Sequence, residues 1–123
     1  MTSYLLDTHI LLWALDDSRR LPESHRRIIN SAPSLMVSMA SMWEIAIQQS
    51  LNKLDAPQDF ARGVVRAGFD LLDISLAHIE AVRSLPHHHS DPFDRMLIAQ
   101  ASVERLTVLT VDPRFSQYDL SLA

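Results

Sequence analysis

Four carboxylates stand out by the residues around them. Asp7 and Asp112 each follow a short apolar run, residues 3–6 and 106–110. An acid just past the carboxyl end of a buried strand lies where open α/β sheets bind ligands. A loop-starting or helix-capping aspartate has the same appearance in sequence. Glu44 falls on one helical stripe with Ala40, Ile47 and Leu51, while Ser41, Gln48 and Gln49 lie mostly elsewhere. A carboxylate in an apolar stripe is costly unless it is protonated, paired or bound to a cation. The alternative is a glutamate at the stripe margin paired with an arginine. Asp94 shares a face with Ile98 and Ala101, although a first-turn acid also complements the helix dipole. Asp91, followed by Pro92, is the better cap, which leaves Asp94 for another task.

Several carboxylates in one pocket repel and cannot all ionise without a cation. Mg²⁺ or Mn²⁺, hard ions that prefer oxygen, are the natural partners, and such a site suits phosphodiester hydrolysis. The run His87-His88-His89 with Asp91 is a competing metal motif, but adjacent histidines give poor tetrahedral geometry, so a solvated or packing loop is expected there. Ser38 and Ser41 lack the glycines of a nucleophile elbow. Cysteine is absent, which removes thiolate nucleophiles and cysteine-ligated zinc; two glycines cannot build a phosphate-cradling loop. A net charge of −4 argues against a broad basic surface for nucleic acid, and leaves bound metal to supply positive charge. Ten of the eleven basic residues are arginine, the better fork for phosphate, though genome composition explains that equally well.

The elements that must position these acids follow from apolar runs and caps. Strands are expected at 3–6, 35–37, 69–73 and 106–110, with a short final one near 120–122. Helices are expected at 9–14, 22–30, 39–51 capped by Ser38, 57–67 stopped by Gly68, 76–85 capped by Ser75, and 92–105 capped by Asp91. Short apolar strands alternating with helices argue for a parallel sheet covered on both faces. The 123 residues fit a single domain, 1–123. No apolar stretch reaches the length of a membrane span, and the first residues lack a leader's positive region, so a cytoplasmic, membrane-free protein is expected.

Four segments carry a resemblance: LLDTHILLWAL (5–15), VSMASMWEIAI (37–47), LPHHHSDPFDRMLIAQA (85–101) and LTVDPRF (109–115). On these the chain resembles the PIN-domain ribonucleases, specifically the VapC-like toxins of bacterial toxin–antitoxin pairs. The resemblance implies a three-layer α/β/α sandwich around a short parallel sheet. It implies Mg²⁺- or Mn²⁺-dependent cleavage of single-stranded RNA to a 3′-hydroxyl and a 5′-phosphate. Carried over by position, the acids are Asp7, Glu44, Asp94 and Asp112, with Asp7 and Asp94 the principal ligands and Thr8 and Thr110 supporting a water. Because no broad basic surface is expected, an arginine near the groove, Arg95 or Arg114, is expected to meet phosphates. A small antitoxin whose C-terminal segment covers the site, and a homodimer, are the implied partners. Relatives often place a lysine soon after the WEIA block, where this chain has Gln48 and Gln49. The rival expectation is a catalytically silent relative that binds RNA or an antitoxin without cutting.

Overall fold

The computed structural model describes residues 2–123. Four short strands, β1 (Tyr4–Leu6), β2 (Leu35–Ser38), β3 (Asp70–Leu72) and β4 (Thr107–Leu109), form one sheet in the order β3-β2-β1-β4. Every pairing is parallel. The helices are α1 (Thr8–Leu15), α2 (Glu23–Ser31), α3 (Met39–Ser50), α4 (Phe60–Arg66), α5 (Leu76–Ser84) and α6 (Pro92–Glu104). A 3-10 turn, Pro113–Gln117, follows β4.

Alternation along the central strands splits the core into two layers. Leu6, Val37 and Leu109 pack on one face with Ile10 and Leu11 of α1, Ile45 of α3, and Phe60 and Val64 of α4. Leu5 and Val108 point the other way, against Leu97, Ile98 and Ala101 of α6 and Phe115 and Tyr118 beyond β4. The result is the expected α/β/α sandwich. Each such side chain contributes roughly 1.5–3 kcal/mol when fully buried, so β1 and β4 are held firmly on both faces. Their carboxyl ends are correspondingly fixed.

Most boundaries agree with expectation to within a residue or two, and the differences have local causes. The helix expected from Pro57 starts only at Phe60, because Pro57 carbonyl is consumed in a turn with Phe60 N–H. Its expected stop is in place: Gly68 adopts φ +90°, a conformation that side-chain-bearing residues avoid. The final strand near 120–122 shrinks to a single bridge between Val108 and Leu122. Ser38 and Asp91 cap α3 and α6 through their side chains, and Ser75 forms a capping box with His78. Among the described residues no helix is long and apolar enough to cross a membrane.

The strand order reverses between β1 and β4, which neighbour each other although β1 first connects to β2 on its other side. In open parallel sheets the crevice at such a reversal, beyond the carboxyl ends, is the ligand site. Asp7 lies directly after β1, and Thr110 and Asp112 directly after β4. Asp7 N–H donates to Leu109 carbonyl at 3.0 Å, which draws the two strand ends together.

Candidate active site

Asp7 occupies the N-cap position of α1, yet its carboxylate makes no cap hydrogen bond. Thr110 Oγ1 donates to Asp7 Oδ2 at 2.7 Å and accepts from Asp112 N–H at 3.0 Å, so one hydroxyl ties both strand ends. Asp7 is 3% exposed, and burial pushes its carboxyl above the ordinary value while the Thr110 hydrogen bond opposes the rise. Glu44, on α3, turns toward the same crevice. Its Oε1 is buried without a hydrogen-bond partner, and burial raises this carboxyl also, the nearby Thr8 hydroxyl opposing and the charges of Asp91 and Asp7 adding to the rise. The helical stripe that placed Glu44 is only partly buried: Ala40 is buried, but Leu51 at its far end is exposed. Thr8 donates to Ser41 Oγ at 2.9 Å and so pins α1 to α3.

At the start of α6, Asp91 Oδ1 accepts from the backbone N–H groups of Phe93 and Asp94 and performs the capping. Asp94 is thereby left to face the crevice, 7% exposed. Burial, with the nearby charges of Asp91 and Asp7, pushes its carboxyl up to about 7, against the pull of Arg114. Asp112 differs from the other three. It caps the 3-10 turn through Arg114 N–H and pairs with the Arg114 side chain at 2.7 Å, which holds its carboxyl below the ordinary range. Arg114 Nη2 also reaches Asp94 Oδ2 at 3.1 Å, so one guanidinium spans two acids from different elements. A groove of about 480 Å³ opens beside them, lined by Glu44, Ile47, Gln48, Asp91, Phe93 and Arg114 among others.

The donor chemistry suits a hard divalent cation. All the acids offer oxygen, Glu44 Oε1 lacks a hydrogen-bond donor, and three of the four carboxyls are raised by a burial that nearby positive charge only partly offsets. The acids do not stand as a ready-made cage: among the described residues, no three His, Asp or Glu side chains are gathered closely enough to hold an ion. In this structure the Arg114 guanidinium supplies the local positive charge.

The sequence matches the PIN domain family over residues 4–120, nearly the whole chain. This chain belongs to the PIN domain family. Its fold is similar to VapBC2 from Rickettsia felis, solved with a promoter DNA fragment, with TM-score 0.74 at 15% identity over 99% of this chain and 98% of that one. It is also similar to a toxin–antitoxin complex from Klebsiella pneumoniae, with TM-score 0.70 at 20% identity over 98% and 96% of the two chains. DNA-bound VapBC from Salmonella typhimurium gives TM-score 0.74 at 17% identity over 100% and 98%. At these identities the likeness is one of fold. No curated protein matches the sequence.

In this PIN domain the two arginines named for phosphate separate. Arg114 lines the groove, half exposed. Arg95 does not: it is 7% exposed, and its guanidinium donates to the carbonyls of Pro86 at 2.8 Å and Leu85 at 3.3 Å. Five fixed donors make arginine an effective clip for a loop's unpaired carbonyls, so Arg95 fastens the 82–89 segment to α6 instead of meeting substrate. Of the solvated or packing loop expected for the histidine run, the structure has something of each: His87 and His88 are exposed, the His88 ring edge-on to Tyr118 at 4.9 Å, while His89 turns in against Tyr118 and toward Asp94. Sequence reasoning passed over His89 and Tyr118 as parts of the site's surroundings. The available signal was position, because His89 lies two residues before the cap Asp91 and so must enter where α6 begins.

Proposed function

We propose that this PIN domain is a metal-dependent endoribonuclease that cleaves single-stranded RNA, and the toxin of a toxin–antitoxin pair. The observation that carries the reading is the convergence of Asp7, Glu44, Asp94 and Asp112 from four separate elements on the carboxyl edge of the sheet. Asp7 and Asp94 would be the principal holders of a Mg²⁺ or Mn²⁺ ion, with Glu44 and Asp112 completing the site or holding the water. Such an ion offsets phosphate charge and makes water a competent nucleophile near neutral pH.

The chain's own groups divide the remaining work. Thr110 orients Asp7 by its 2.7 Å hydrogen bond and keeps the carboxylate turned from the cap position into the crevice. Glu44 Oε1, buried and unpartnered, accepts a proton from the attacking water. Arg114 releases Asp94 and donates to a non-bridging phosphate oxygen, which suits its half-exposed position on the groove. The water oxygen bonds to phosphorus, the bond to the 3′-oxygen breaks, and that oxygen takes up a proton from solvent, giving a 3′-hydroxyl and a 5′-phosphate.

The partners follow from the same reading. The Klebsiella pneumoniae structure is a toxin–antitoxin complex, and this chain is proposed to pair with an antitoxin and to act as a homodimer. Gln48 lines both the acidic groove and a larger one of about 750 Å³ lined in part by Trp13, Leu54 and Phe60, which offers an antitoxin segment apolar surface beside the acids. The test is incubation of a mixed single-stranded RNA pool with purified protein in Mg²⁺, Mn²⁺ or chelator, beside Asp7→Asn. Metal-dependent cutting that Asp7→Asn lacks is expected. A folded protein that neither cuts RNA nor binds metal would favour the silent, binding-only reading.

A further inference from the structure

The ring of His89 is held in a setting that leaves little choice of proton position. Its side chain is 8% exposed, with Nδ1 2.9 Å from the Tyr118 hydroxyl and Nε2 3.8 Å from Asp94 Oδ2. Arg95 Nη1 donates to the same hydroxyl at 3.3 Å. A guanidinium has no acceptor, so Tyr118 oxygen must receive that bond, and its single hydrogen is then available for His89 Nδ1. Tyr118 is itself buried, and its hydroxyl has no other partner among the described residues. An Nδ1–H ring would strand that hydrogen in the core and turn a bare Nε2 lone pair toward a carboxylate oxygen. Both ends of the ring therefore favour the same tautomer, with the hydrogen on Nε2. That nitrogen is buried and makes no hydrogen bond, yet it is aimed at Asp94.

We propose that His89 is a positioning residue for Asp94: Arg95 and Tyr118 fix its Nε2–H tautomer, and that N–H holds Asp94 Oδ2 when Arg114 moves off it to substrate. Arg114 now occupies Oδ2 at 3.1 Å, with His89 behind it at hydrogen-bonding reach plus less than an ångström. The replacement keeps one oxygen of Asp94 anchored and its carboxylate plane set while the other oxygen faces the crevice. Donors behind a metal-holding carboxylate set its orientation and affinity. The proposal rests on the metal-dependent reading of the acids.

Ring ¹⁵N–¹H correlation spectra of chelator-treated protein test the tautomer directly, with His89→Gln used to assign the signal among the six histidines. The wild type is expected to show Nε2–H, and Tyr118→Phe, which keeps the ring and drops the hydroxyl, a mixture of tautomers. Calorimetric Mn²⁺ titration is the second arm. His89→Ala and Tyr118→Phe are expected to weaken Mn²⁺ binding by about tenfold, with His89→Gln, which restores an N–H at the Nε2 position, recovering most of the loss. Should His89→Ala fail to fold, the Gln and Tyr118→Phe variants carry the comparison. An Nδ1–H ring in the wild type, or equal Mn²⁺ affinity in wild type, His89→Ala and Tyr118→Phe, would overturn the proposal. Absence of Mn²⁺ binding in the wild type would sink the nuclease reading instead, and the tautomer would then decide His89 alone.

Discussion

Helix α6 carries a histidine–carboxylate pair at each end, and the two are finished differently. At its C-terminal end His78, 2% exposed, lies 2.9 Å from Glu104 Oε2, accepts Ser75 N–H at Nδ1 and donates its own N–H to Ser75 Oγ. Every polar atom of that histidine has a partner, and Glu104 keeps 42% of its side chain in water. At the N-terminal end His89 stands 3.8 Å from Asp94 with Nε2 unpartnered, and Asp94 lies 10% exposed among other acids. Both pairs set a histidine against a carboxylate of the same helix, glutamate at one end and aspartate at the other. One pair closes a joint between α5 and α6; the other leaves a histidine donor unpartnered and a buried charge only partly offset by Arg114 beside a groove. Burial that is only partly compensated costs stability, and groups held this way cluster at functional sites.

The comparison can be broken most readily with paired substitutions. The largest effect expected is on cleavage: Asp7→Asn should reduce it by roughly 10³-fold or more with the fold retained, read by RNA cleavage beside circular dichroism. His78→Ala, at the finished end, should do the reverse. It opens a cavity and strands Ser75 N–H, at a cost of about 2–4 kcal/mol in denaturant unfolding, while cleavage per folded molecule stays at the wild-type level.

The pH dependence separates the ends further. Asp94 is raised from 3.8 to about 7, so the folded chain holds that proton more tightly than the unfolded one. Its favourable contribution is complete below about pH 4 and is lost as pH climbs through 7, a swing of order 2–4 kcal/mol in chelator-treated protein. Asp7 and Glu44 are raised and act in the same sense; Asp112 is lowered, so its contribution is present above 3.8 and fades on acidification. Urea unfolding at pH 5 and pH 8 should show this loss in the wild type, and much less of it in Asp94→Asn. The smallest effect belongs to Glu104→Gln: its partly exposed pair should be worth under about 1 kcal/mol, measured by the same unfolding at pH 8.

The sheet and most caps were legible because each rests on local chemistry. Apolar runs ending at Asp7 and before Asp112 marked β1 and β4, and Asp91-Pro92 marked the start of α6. That same cap assignment freed Asp94 on paper before its burial was visible. Glu44 was placed by helical spacing even though the stripe fails at exposed Leu51. Arg95 was misplaced because its partners, carbonyls of the 82–89 segment, leave no trace in side-chain pattern. The relay through Tyr118 spans 29 residues from His89 and depends on how β4's downstream turn folds back over α6. Spacing rules do not reach that far.

The central claim is that the incompletely compensated end of α6 serves the proposed catalysis, and Asp94→Asn tests it with two readings on one variant: RNA cleavage with Mn²⁺, and melting temperature in chelator at pH 8. Removing the buried charge should abolish cleavage while raising the metal-free melting temperature by roughly 5–15 °C. An Asp94→Asn protein that still cuts RNA at the wild-type rate, or that is less stable than wild type without metal, would contradict the account.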